Sequence, residues 1–149
     1  MKIRPTGVIP PMTTPFRKGG EIDFKQVAPQ VDWLIGAGSH GMAAGGSTGE
    51  GHTLDHEEYR DLVAATVDAA KGRAPVIAGI IVDSTRDAIR RGKLVRDMNV
   101  AALQVTPVHY LFSRTSRRWS ITSAAWPMKP ACLLSSTTWC RGPISRRRC

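Results

Sequence analysis

Two hydrophobic rhythms alternate along the first 112 residues. Gly7-Val8-Ile9-Pro10-Pro11-Met12 is a short apolar run of the kind that makes a buried strand, and Thr13-Thr14-Pro15-Phe16 closes it. Phe24, Val27, Val31, Leu34 and Ile35 then fall three or four apart, which predicts a helix capped by Asp23. Pro29 is expected in the first turns of that helix, where its missing N–H costs little. Gly36 to Gly41 ends the helix, and Met42-Ala43-Ala44 leads as a second strand into Gly45-Gly46.

The next helix is the clearest element. Asp55 with Glu58 three residues later has capping-box spacing, and Tyr59, Leu62, Val63, Val67 and Ala70 follow at helical intervals. Lys71-Gly72 stops it. Pro75 to Ile81 is a continuous apolar run, as expected of a strand buried on both faces of a parallel sheet. Ser84 or Thr85 caps a third helix through Ala88, Ile89, Leu94 and Val95, and Ala101 to Val105 makes a fourth strand that ends at Thr106-Pro107. Alternating strands and helices predict an α/β fold of βαβ units with right-handed crossovers. The periodicity alone does not choose between an open doubly wound sheet and a barrel. Beyond Phe112 the rhythm stops, and Arg, Ser, Thr, Trp and Pro are scattered without period, which usually means disorder.

Charge divides the chain at the same place. The 149 residues carry a net charge of +9. Residues 1–112 hold 13 basic and all 12 acidic residues, so nearly the whole excess sits in 113–149, which has 8 basic residues and no acid. All three cysteines (Cys132, Cys140, Cys149) and three of the four tryptophans lie there too. A strongly basic chain suggests a nucleic-acid partner, but the near-neutral first part removes that reading for the patterned region. Only Arg146-Arg147-Arg148 and the scattered tryptophans keep a basic-tail nucleic-acid binder as an alternative. The cysteines have neither framework spacing nor a CxxC pair, so no disulfide scaffold or zinc site is expected. No apolar run approaches the roughly 18 residues that span a bilayer, and the first residues lack a secretory pattern. The expectation is a cytoplasmic protein with no membrane partner.

Three segments have the residue types for chemistry. Gly36-Ala37-Gly38-Ser39-His40-Gly41 fits G-x-G-x-x-G, but it follows a helix and precedes a strand. A dinucleotide needs the reverse order, so a helix end with a turn is the expected role and no cofactor is assigned. Gly45-Gly46-Ser47-Thr48-Gly49-Glu50-Gly51 follows a strand and precedes a capped helix. That puts it at the C-terminal edge of the sheet, where parallel folds hold their ligands. Backbone around Gly46 could approach a small carboxylate or phosphate closely, with Ser47 and Thr48 offering hydroxyl and N–H donors. His52 and His56 lie four apart, yet no Glu or Cys completes a metal set, and ordinary solvated histidines are expected.

Taken together, GVIPPMTTPF at Gly7–Phe16, GGSTGE at Gly45–Glu50, VIAGIIVDSTRDAI at Val76–Ile89 and ALQVTP at Ala102–Pro107 resemble the dihydrodipicolinate synthase / N-acetylneuraminate lyase family in order and spacing. The resemblance implies that residues 1–112 are the N-terminal half of a (βα)8 barrel, with residues 113–149 a non-family tail. It also implies class I aldolase chemistry, in which a lysine amine forms a Schiff base with pyruvate or another 2-keto acid that then reacts with an aldehyde. Ser47, Thr48 and Gly46 would hold the keto-acid carboxylate, and Tyr110 is the candidate for a proton relay, with His109 competing for that position. The intact homologue is expected to be a homo-oligomer. None of Lys2, Lys18, Lys25, Lys71, Lys93 and Lys129 ends a predicted strand, so the Schiff-base lysine is expected to be absent. The chain is then expected to be inactive as it stands. A pseudoenzyme that binds a carboxylate through the same loop without catalysis is the alternative.

The tail itself suggests a displaced reading frame. Joining the third base of each codon to the first two of the next leaves most positions free, but Trp and Met have single codons and fix theirs. Trp126-Pro127 then forces Ala, Met128-Lys129 forces Glu and Trp139-Cys140 forces Val. Filling the remainder restores acidic residues, a helical period and the strand V-V-I-Y-N-V-V-P, which resembles a family motif. The coding DNA from codon 110 to codon 150 is expected to reveal the family sequence in the displaced frame; an uninterrupted tail frame with no such alternative would overturn this reading.

Overall fold

The computed structural model describes residues 6–106 and the backbone of Cys132–Ser135. Three helices and four strands alternate as α1 (Phe24–Gly36), β1 (Met42–Ala44), α2 (His56–Ala70), β2 (Val76–Ile80), α3 (Thr85–Leu94), β3 (Ala102–Val105) and β4 (Cys132–Ser135). The strands form one sheet in the order β1-β2-β3-β4, parallel at every step. Ala43 pairs with Ile77, Ile77 with Ala102 and Ala102 with Cys132, so one register row runs across all four strands.

Each helix begins where a side chain satisfies its free amides. Asp23 accepts from the Lys25 N–H, and Ser84 accepts from the Asp87 N–H, so Ser84 and not Thr85 is the cap of α3. At α2 the capping box is complete: Asp55 accepts from the Glu57 and Glu58 amides, and the Glu58 carboxylate accepts from the Asp55 N–H at 2.9 Å. Lys71 ends α2 in the left-handed region, at φ 48°. Pro29 lies past the first turn of α1, so it removes a helical hydrogen bond instead of occupying a position that lacks one.

The distribution of buried side chains resolves the choice that periodicity left open. Val27, Val31 and Leu34 of α1, Tyr59, Leu62 and Val63 of α2, and Ala88 of α3 belong to one cluster with Met42, Ala44, Val76, Ala78, Ile80, Leu103 and Val105. The alternate strand positions Ala43, Ile77 and Ala102, with Ile9 against them, form a separate small cluster. Because neighbouring strand residues face opposite ways, the helices cover one face of the sheet and Ala43, Ile77 and Ala102 line the other. A doubly wound sheet reverses strand order and takes helices on both faces. Strands added in sequence with helices on one side are the beginning of a (βα)8 barrel.

Two expectations change here. The predicted first strand is only a bridge between Pro11 and Ala43, supported by Met12 N–H to the Ala43 carbonyl (2.8 Å) and Ala43 N–H to the Pro10 carbonyl (3.0 Å). Pro10 and Pro11 have no N–H to continue a ladder. The tail, expected to be irregular throughout, contributes β4, which pairs with β3 along its full length. Cys132-Leu133-Leu134 belongs to the tail's longest uncharged stretch, and its pairing removes the open edge that β3 would otherwise present.

Leu62 is buried at the centre of the helix–sheet interface. Leu62→Ala is expected to lower stability by about 2–5 kcal/mol, read as a shift in the urea midpoint at unchanged slope.

Candidate functional site

The loop after β1 leaves the sheet at the C-terminal ends of the parallel strands and returns to the Asp55 cap of α2. Ser47 and Thr48 are exposed at its tip, while Gly45, Gly49 and Gly51 are buried beneath them. Neither hydroxyl hydrogen-bonds to another side chain or backbone group among the described residues. Both therefore stand exposed at the tip without a bond to the rest of the described residues. The loop is internally braced: Glu50 N–H donates to the Ser47 carbonyl (3.1 Å), Gly51 N–H to the Gly46 carbonyl (3.0 Å) and Thr53 N–H to the Glu50 carbonyl (2.9 Å). Glu50 takes φ 52°, an uncommon conformation for a residue with a Cβ and of the kind concentrated in ligand loops.

Close approach explains two of the glycines. A Cβ on Gly79 of β2 would lie 2.6 Å from the Gly46 nitrogen and 2.7 Å from its Cα, so the loop passes directly over the strand end. A Cβ on Gly51 would run into the Gly45 carbonyl oxygen. The tip thus rests on backbone, with no side chain between.

Two side chains from outside the loop hold it. Thr14, buried in the segment after the Pro11 bridge, donates its hydroxyl to the Gly49 carbonyl at 2.5 Å. From the other side, Arg91 of α3 donates to the Gly51 carbonyl and, at 2.7 Å, to the Leu54 carbonyl. Its guanidinium lies 5.1 Å from the centre of the Tyr59 ring, within cation–π range. Burial pushes the Tyr59 phenol well above its ordinary range, against the opposing pull of the Arg91 charge. The phenolic oxygen is buried and has no hydrogen-bond partner among the described residues.

The sequence-derived candidates fall out unevenly. Gly46, Ser47 and Thr48 sit together at the sheet's C-terminal edge, as their position after β1 predicts. Tyr110 and His109 lie outside the described residues. Gly36 to Gly41 spans the end of α1 and the turn before β1, with Gly38 at φ 84°. His52 is exposed, and His56 instead pairs with Asp87 at 2.7 Å. Arg91 and Thr14 were not singled out by pattern reading. A buried arginine looks like any polar position on a helix, and nothing local in the sequence marks its target carbonyls.

A parallel sheet begun in barrel order, with a braced hydroxyl loop at its C-terminal edge, defines the start of a (βα)8 scaffold. Residues 4–117 match the model of the dihydrodipicolinate synthetase family, and the chain belongs to that family. It is 45% identical over 104 residues to the 4-hydroxy-tetrahydrodipicolinate synthase of Ruegeria pomeroyi, a match covering 69% of this chain and 36% of that protein. Among solved structures it resembles the chloride-inhibited dihydrodipicolinate synthase from Acinetobacter baumannii complexed with pyruvate. That likeness has a TM-score of 0.78 and 29% identity, and it covers 84% of this chain and 44% of the other. The Ruminococcus gnavus sialic acid aldolase matches with a TM-score of 0.73 at 25% identity, over 83% of this chain and 42% of that one. The matched region thus spans a little over a third of the length of the curated relatives. No helix among the described residues is long and apolar enough to cross a membrane.

Gly79→Ala is expected to disturb the loop without unfolding the sheet. Backbone amide resonances of Gly45 to Gly51 should shift while those of α1 stay in place; a spectrum unchanged at the loop would show that the close approach is not required.

Proposed function

We propose that this chain carries the carboxylate-binding portion of a Schiff-base-forming lyase or synthase that joins or cleaves a 2-keto acid such as pyruvate and an aldehyde. One observation carries the reading: in a member of this family, the exposed Ser47–Thr48 pair stands on a braced loop at the C-terminal edge of parallel strands. A carboxylate there would accept hydrogen bonds from the two hydroxyls and the neighbouring N–H groups, with Gly46 allowing close approach. The relatives solved with pyruvate support the same ligand class.

The covalent step needs an amine to attack the keto carbon, forming a C=N bond and releasing water. Among the described residues, Lys18, Lys25, Lys71 and Lys93 lie away from the strand ends, on α1, α3 or turns, and Lys2 and Lys129 lie outside the described residues. The reading is therefore of a chain that binds the keto acid and does not capture it. Residues 113–149 are read as family sequence in a displaced frame. The assembled protein is read as a cytoplasmic homo-oligomer.

Borohydride reduction in the presence of pyruvate tests both parts. The 149-residue chain is expected to give no trapped adduct, whereas the product of the gene with its frame restored near codon 113 gives one. An adduct on the 149-residue chain would overturn the inactive reading. Saturable pyruvate binding with no adduct from either form would favour a non-catalytic carboxylate binder.

A further inference from the structure

Arg91 is charged and buried, with 4% of its surface exposed, and the keto-acid reading gives it no direct part. A buried guanidinium is costly unless its donors are matched and a counter-charge is near. Here the two terminal nitrogens point to different carbonyls, Gly51 at the end of the hydroxyl loop and Leu54 just before the α2 cap. Nε has no hydrogen bond among the described residues and lies 3.8 Å from Asp87, one turn earlier on the same helix. Asp87 also meets His56 of α2 at 2.7 Å. The aromatic face of Tyr59 covers the guanidinium, and the same ring packs so close to Gly45 that a Cβ there would approach it to 2.7 Å. Tyr59 and Arg91 thus meet both ends of the loop, Gly45 and Gly51.

We propose that Arg91 is a positioning residue for the Ser47–Thr48 site. Its forked donors fix the returning limb of the loop, Gly51 to Leu54, to α3, while Asp87 and Tyr59 fix the fork. Lysine cannot do the same, because a single ammonium cannot hold two divergent carbonyls with planar geometry. The role rests on the carboxylate-loop reading for its ligand, but the clamp itself is a property of the folded chain.

The test separates the two. Native-state hydrogen exchange of the full chain would follow the Glu50, Gly51 and Thr53 amides, with the β2 amides as reference. Arg91→Met is expected to speed exchange at those three amides about tenfold, the scale of losing hydrogen bonds to a charged group, while β2 is unchanged. Arg91→Lys should fall between, and it decides the matter if Arg91→Met does not fold. Uniform acceleration across loop and β2, or none at the loop, would overturn the proposal and leave Arg91 a general stabiliser. Pyruvate titration of the same variants adds a second readout, with weaker binding expected in the order native, Lys, Met. If the native chain binds no pyruvate, the carboxylate reading fails and the exchange result still judges the clamp.

Discussion

The seating of α2 on β1 and β2 is the contact from which the rest of the structure follows. Tyr59, Leu62, Val63 and Thr66 are buried along one side of the helix, and Met42, Ala44, Ala78 and Ile80 form the facing strand surface. That stripe determines which face of the sheet is covered, and α1 and α3 then flank α2 on the same side. It also determines where the preceding loop must lie, because the Asp55 cap fixes the start of α2 just beyond the strand ends. Ser47 and Thr48 reach the C-terminal edge as a consequence of this packing, before any ligand is considered.

Burial in this interface is almost wholly apolar, and its threonine hydroxyl is satisfied locally. Thr66 donates to the Leu62 carbonyl one turn back at 2.8 Å, so no polar group is stranded against the sheet at that point. Tyr59 differs: its ring is fully buried, its oxygen lacks a partner among the described residues, and a cation sits over its face. The contrast marks the Tyr59–Arg91 end of α2 as the place where packing serves the loop as well as the core.

Much of this was legible in the chain. The Asp55–Glu58 box, the α2 stripe and the Pro75–Ile81 run are local signals, and the structure reproduces each to within a residue or two. The location of Ser47 and Thr48 was legible too, because a glycine loop between a strand and a capped helix has one place to go in a parallel fold. What escaped reading was non-local. Pro10 and Pro11 left an apolar run that looks like a strand but cannot sustain a ladder. Ile89 and Leu94, read as the buried side of α3, are only half-buried, and Arg91 and Gly92 occupy the interior instead. An arginine is placed inside by carbonyls some forty residues away, and hydrophobic periodicity carries no record of them. The strand at Cys132–Ser135 escaped for the same reason, since its partner β3 lies beyond the reach of any local pattern.

Anchorage of the loop at Gly49 by Thr14, and at Gly51 and Leu54 by Arg91, has a thermodynamic consequence. The conformational freedom of this segment is surrendered when the chain folds, with the anchors drawn from opposite ends of the described sequence. Under the carboxylate proposal, a small anion arriving at the tip would meet donors already in place, and its association would lose little to the ordering of backbone.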